Sequence, residues 1–226
     1  MDKYGGRVEN AILVINNEVK MDFYTTNAQR LSQQYDSLSP EQVHAGWLSH
    51  LPAVQSTSNK ALDLGAGSGR DAAWLASMGW DVLAVEPSSG LRDIGRESTA
   101  QQSVSWLDDT LPQLADIQAS YDSSFRLILA SAMWMHLTPE EQVTACERLQ
   151  QLAADDAIIV ITWRNQANER ERVFHTVDTE QFGKYFNSDS RKSTVTITVS
   201  VDEGGRAGIV WHCAVIKVET MKMDAV

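Results

Sequence analysis

The apolar positions of this chain fall into two patterns. Short continuous runs occur at Ala61–Leu64, within Trp80–Ser88, at Val104–Leu107, at the start of Phe125–Leu137 and at Ala157–Thr162. Runs of this kind predict parallel strands buried on both faces. Between them, apolar residues recur every three or four positions, as a helix with one buried stripe requires. Ala72, Leu75 and Met78 form one such stripe, Val43, Trp47 and Leu51 a second, and Val143, Cys146 and Leu149 a third. The second and third follow Ser39-Pro40-Glu41-Gln42 and Thr138-Pro139-Glu140-Glu141, each of which reads as a capping box with proline in the first turn. A helix is also expected through Ala28 to Tyr35, and another crossover helix between Thr110 and Ala119. The helix after Glu86-Pro87 reads as weak, because Gly90 and Gly95 interrupt it and only Leu91 and Ile94 pair. Strict alternation follows near the C-terminus: Val195, Ile197, Val199 and Val201 share one face of TVTITVSV, DEGGRAG makes a turn, and IVWHCAVIKV returns. Strand–helix repeats closed by a hairpin predict an α/β fold with a Rossmann-like, doubly wound seven-stranded sheet. It is expected to be mostly parallel, with an antiparallel C-terminal hairpin strand and helices on both faces.

The first of these strands runs into a glycine loop. In KALDLGAGSGRD, Gly65, Gly67 and Gly69 separate the strand from the helix that begins near Asp71. Strand, glycine loop and helix together bring backbone amides and a helix N-terminus up to a nucleotide. A dinucleotide fingerprint fails when counted from Gly65, where Arg70 takes the last position, and survives formally from Gly67, where Ala72 does. Against that register, Asp63 stands at the strand end, where a carboxylate repels a pyrophosphate and suits a ligand carrying an ammonium and a sulfonium.

DLGAGSG resembles motif I of the class I S-adenosylmethionine-dependent methyltransferases, and the resemblance covers roughly Phe23 to Val218. It implies that Asp63, Gly65, Ala66, Gly67, Gly69 and Arg70 wrap the methionine end of S-adenosylmethionine. Glu86, 19 residues beyond Gly67, ends the second strand beside Pro87, where an acidic residue accepts from ribose hydroxyls in either cofactor class. In VSWLDDTLP the resemblance implies that Leu107 covers the adenine and Asp108, or Asp109 in the other register, faces its amine. It places the end of strand four, Ser131 to His136, at the border of the active site, with Ala130 and Met133 beside the cofactor. The helical segment of about residues 23–55 then forms a cap, with Tyr24 and Tyr35 as candidate substrate contacts alongside Trp134, His136 and Arg164. Trp163 and His175 lie in the same region. Relatives of this type carry a Pro-Gly-Gly turn before strand five, and Ala153-Ala154-Asp155-Asp156 replaces it here.

Composition narrows the acceptor. The formal net charge is −11, from 19 basic and 30 acidic residues, a sign that repels phosphate backbones. Nucleic acid is therefore disfavoured and a small-molecule acceptor expected. No apolar run reaches the roughly 18 residues a membrane helix needs, and the N-terminus lacks secretory features. With two cysteines, Cys146 and Cys213, read as buried free thiols, these features point to a cytoplasmic chain. Residues 1–22 read as an extension or leader, and 23–226 as a single methyltransferase domain. No metal is expected, and His44 and His50 read as surface or half-buried side chains. Methyl transfer is an in-line displacement for which the protein supplies proximity and alignment. His136 is the candidate general base, because its unperturbed pKa of about 6.5 suits that role. A protein that binds S-adenosylmethionine without catalysis is the alternative, and an NAD-dependent oxidoreductase using the Gly67 register is the less favoured one.

Overall fold

A computed structural model describes residues 23–55, 59–165, 173–187, 192–202 and 208–219. The expected leader at 1–22, most of the linker before β1 and most of the DEGGRAG turn lie outside the described residues, as does the polar stretch after strand five. Among the described residues seven strands form one sheet in the order β3-β2-β1-β4-β5-β7-β6. β1 (Lys60–Leu64), β2 (Asp81–Val85), β3 (Val104–Leu107), β4 (Phe125–Ala130) and β5 (Ala153–Asn165) are mutually parallel. β7 (Val210–Val218) enters antiparallel between β5 and β6 (Ser193–Val201). This inserted antiparallel strand is the predicted closing hairpin, and it rules out the all-parallel sheet of a dinucleotide domain.

The helices are α1 (Ala28–Asp36), α2 (Pro40–Val43), α3 (Arg70–Ser77), α4 (Ser89–Ser98), α5 (Pro139–Leu152) and α6 (Thr179–Tyr185). Alternate strand residues feed two core layers. Ala61, Leu127, Leu129, Ile158 and Val160 pack with Ala72 and Leu75 of α3 on one face. Leu62, Ile128, Ile159 and Ile161 pack with Cys146 and Leu149 of α5 and Phe182 of α6 on the other. Residues buried on both faces explain why β1 and β4 read as unbroken apolar runs. The order reverses at β1, which has β2 on one side and β4 on the other, so the crevice at the C-terminal ends of these strands is where an open α/β sheet takes a ligand.

Several local expectations are corrected. α4 is an unbroken ten-residue helix, not a weak one. Its glycines are there for close approach: a Cβ at Gly95 would lie 2.2 Å from the Trp106 ring, and one at Gly90 would lie 2.8 Å from Thr25 O. The helix expected between Thr110 and Ala119 is absent. Asp109 there accepts from the amides of Thr110 and Asp116, holding the backbone in turns, and only Ala119–Tyr121 forms a 3-10 turn. α2 is four residues long, with Ser39 capping Gln42 N, so Val43 stays exposed while Trp47 is buried. The Thr138 capping box of α5 forms in full. β5 starts four residues early: Ala153 pairs with Phe125, Ile158 with Leu127, and Asp156 absorbs the break at φ 58°. On β6 the apolar face is covered only in part, and Val199 and Val201 are exposed.

Candidate functional site

The site is built where β1 and β2 end. The amides of Gly65 and Ala66 both donate to Val85 O, which folds the chain over the tip of β2. Gly65, Gly67 and Gly69 then adopt φ of 65°, 57° and 87°, a left-handed path open to glycine at little cost. A side chain at these points would press on Met133, the Tyr35 ring or Trp106.

Two carboxylates flank this loop. Asp63 is almost fully buried, and among the described residues its Oδ2 has no hydrogen-bond partner. Burial, reinforced by the Asp71 and Glu86 carboxylates and opposed by Arg70, pushes its carboxyl well above the usual range. Glu86 is also buried, and its two oxygens accept from Gly67 N at 2.9 Å and Ser88 N at 2.8 Å. Burial raises its pKa, against the pull of those two amides and of Arg92.

Arg92 was not legible in the sequence, where it is one polar residue of a weak helix. It is buried, donates to Glu86 O and Pro87 O, and reaches Asp108 Oδ2 at 2.6 Å. It thereby ties the end of β2 to the loop after β3. Asp108 is exposed beyond half-buried Leu107, whereas Asp109 spends its oxygens on its own loop.

The N-terminal cap grips the glycine loop residue by residue. The Tyr35 ring covers Gly67, Ser68 Oγ donates to Asp36, and Arg70 Nη1 donates to Tyr35 O. Arg70 also forks onto both oxygens of Asp71, at 2.8 and 2.9 Å. His44, expected near the surface, is fully buried, with Nε2 3.0 Å from Asp71 Oδ1 and Nδ1 accepting from Trp47 Nε1. Burial alone would raise the Asp71 pKa, but His44 and Arg70 hold it down at about 2.

Beyond β4, Ala130 is buried and Met133 half-buried against Gly65. Trp134 is fully buried, edge-on to Phe182, so it belongs to the core and not, as expected, to a surface an acceptor touches. His136 Nε2 lies 3.1 Å from the Tyr24 hydroxyl, its ring tilts against Phe174, and the Arg164 guanidinium covers the other end of Phe174. Tyr24, His136 and Arg164 are thus brought to one place, while Tyr35 sits over the glycine loop. The His175 amide donates to Met135 O, and Trp163 stacks on His212. Cys146 and Cys213 are free, and burial raises both thiols, Cys213 to about 11, so neither is a ready nucleophile. Among the described residues no cluster could hold a metal ion, and no helix is long and apolar enough to cross a membrane.

Residues 61–156 match the family model described as a methyltransferase domain. Over that segment, which holds the glycine loop and the tips of β1, β2 and β4, the chain is similar to methyltransferase domains, as its resemblance to the class I S-adenosylmethionine-dependent enzymes implies. An uncharacterized methyltransferase of Staphylococcus carnosus is 28% identical over 108 residues, 48% of each chain. A biotin biosynthesis bifunctional protein of Cellvibrio japonicus is 31% identical over 133 residues, 53% of this chain and 26% of that one. The chain therefore spans at most about half the length of these curated relatives. Among solved structures, 1,6-didemethyltoxoflavin-N1-methyltransferase of Burkholderia thailandensis, with bound 1,6-didemethyltoxoflavin and S-adenosylhomocysteine, matches with a TM-score of 0.68. It shares 16% identity, covering 97% of this chain and 93% of that one, which is a likeness of fold. S-adenosylmethionine is the cofactor the methyltransferase family implies. The residues present fit it: among the described residues Asp63 keeps a buried oxygen without a partner, beside a loop whose three glycines hold the positive φ that lets its backbone approach a ligand.

Proposed function

We propose that this methyltransferase passes the methyl group of S-adenosylmethionine to a small-molecule acceptor held beside His136 and Tyr24. The observation that carries the cofactor half is the partnerless Asp63 Oδ2, because a buried acceptor left unmade costs free energy that an incoming ammonium would recover. Asp63 holds the amino end, the amides of the glycine loop approach the backbone of the ligand, and Glu86 uses its remaining lone pairs for ribose hydroxyls. Leu107 and Asp108 serve the base. The cofactor, when bound, supplies an electrophilic methyl on a sulfonium. His136 is the base and Tyr24, whose hydroxyl lies 3.1 Å from Nε2, relays the proton, passing its own to Nε2 as it takes one from the acceptor N–H or O–H. Arg164 and Phe174 line the acceptor side. The small acceptor is supported by the net charge of −11 and by the 1,6-didemethyltoxoflavin bound to the Burkholderia thailandensis neighbour. The proposal includes a single domain over 23–226 and the cytoplasmic location read from the sequence.

Calorimetry tests the first half. S-adenosylhomocysteine binds and NAD does not, and the reverse result refutes the site. Transfer of labelled methyl to a panel of small phenols, amines and N-heterocycles tests the second. Binding without transfer to any class would favour the non-catalytic alternative.

A further inference from the structure

His44 has no role in the site so far, yet it is the most completely buried titratable side chain of the cap. Its surroundings fix its chemistry. Trp47 Nε1 is a donor only, so the imidazole Nδ1 that meets it at 3.0 Å must be unprotonated. The ring proton therefore sits on Nε2, which lies 3.0 Å from Asp71 Oδ1, a close contact that lacks the alignment of a hydrogen bond. Trp74 stacks on the ring at a 25° tilt and Trp47 flanks it, leaving little room to turn. Asp71 passes the constraint on, for both its oxygens receive the Arg70 fork. Arg70 then has three of its five N–H groups committed, two to Asp71 and one to Tyr35 O, and two left over. The guanidinium donates to the carbonyl oxygen of Tyr35, whose ring covers Gly67, so it lies against the glycine loop that the resemblance assigns to the methionine end of the ligand.

We propose that His44 is a positioning residue for the cofactor: through Asp71 it fixes the Arg70 fork, whose two spare N–H groups receive the amino-acid carboxylate of S-adenosylmethionine. The inference rests on the cofactor reading above, and adds to it that the cap sets the grip on one end of the ligand. No substrate need be known to test it.

Two substitutions separate the two ring nitrogens. His44→Gln carries a donor near the Nε2 position and keeps the link to Asp71. His44→Asn carries an acceptor near the Nδ1 position, keeping the Trp47 link and losing Asp71. Affinity is measured by calorimetry for S-adenosylhomocysteine and for methylthioadenosine, which lacks the amino-acid end. We expect His44→Gln to stay within about threefold of the parent for S-adenosylhomocysteine and His44→Asn to weaken by about tenfold or more. Methylthioadenosine should bind all three alike. Equal losses for the two variants, or a matching loss for methylthioadenosine, would mean that His44 merely packs, and would overturn the proposal. NMR exchange of the Arg70 Nε–H reads the same link without any ligand: slow in the parent and in His44→Gln, fast in His44→Asn. Should the parent fail to bind S-adenosylhomocysteine, the cofactor reading falls, and with it the ligand end of the proposal, while the exchange data still decide whether His44 holds Arg70. If His44→Asn does not fold, Trp47→Phe frees the ring tautomer and should weaken S-adenosylhomocysteine a few-fold with methylthioadenosine unchanged, and no weakening would overturn the proposal.

Discussion

Replacing Asp63 with Asn separates what the site does for the ligand from what it costs the protein. The side chain keeps its shape and its buried place at the end of β1. What is lost is a buried negative charge on the oxygen that has no partner. A charge-assisted hydrogen bond contributes about 1.5–3 kcal/mol, so S-adenosylhomocysteine should bind roughly 10- to 150-fold more weakly. The free protein should move the other way. Burial raises the Asp63 pKa, so its favourable contribution is complete below its unfolded value and disappears as pH rises through the folded one. Near pH 8 the carboxyl is a burden, and Asp63→Asn should gain about 1 kcal/mol, or roughly 2–4 °C in Tm for a chain of this length. Near about pH 5 the gain should shrink. Thermal melts of parent and variant at both pH values, with calorimetric titration of S-adenosylhomocysteine, measure all three quantities. An Asp63→Asn protein that binds as tightly as the parent would refute the assignment of Asp63 to the ligand. One that is less stable at pH 8 than at pH 5, relative to the parent, would refute the electrostatic argument.

Other outcomes follow from the same contacts. Asp71 is held at about 2 against a usual 3.8, so its contribution, about 2 kcal/mol, is intact above that usual value and vanishes as pH falls towards 2. Denaturant midpoints of Asp71→Asn and the parent should therefore converge over that acid range, and parallel curves would contradict the assignment. Gly95→Ala forces a Cβ to within 2.2 Å of Trp106 and should cost about 1–3 kcal/mol. A double-mutant cycle with Trp106→Phe should recover part of that loss, and simple additivity would place the strain elsewhere. Once an acceptor is in hand, His136→Asn should lower kcat by roughly 10²- to 10⁴-fold with S-adenosylhomocysteine affinity unchanged, and an unaltered kcat would remove His136 as the base.

The sheet was legible because its strands announce themselves. Burial on both faces leaves unbroken apolar runs at β1 and β4, and half-burial leaves the alternation in β6. The cofactor cradle was legible because glycines with positive φ and carboxylates at strand tips are local signals. What failed to show were arrangements settled by distant neighbours. Gly90 and Gly95 look like helix breakers until Thr25 and Trp106 are seen lying against them. Arg92 and His44 look like surface residues because their partners, Glu86, Pro87 and Asp108 in one case and Trp47 and Asp71 in the other, come from other elements or a turn no periodicity marks. The helix expected after β3 failed because the Asp109 side chain captures two amides a helix would have used.

α4 carries a consequence for how this molecule comes apart. Shaved at two points, it lets the β3 indole nest on one side and the backbone of the N-terminal segment on the other. The helix, the outermost parallel strand and the start of the cap should then open as one cooperative unit, with amide protection in all three set by whichever is weakest.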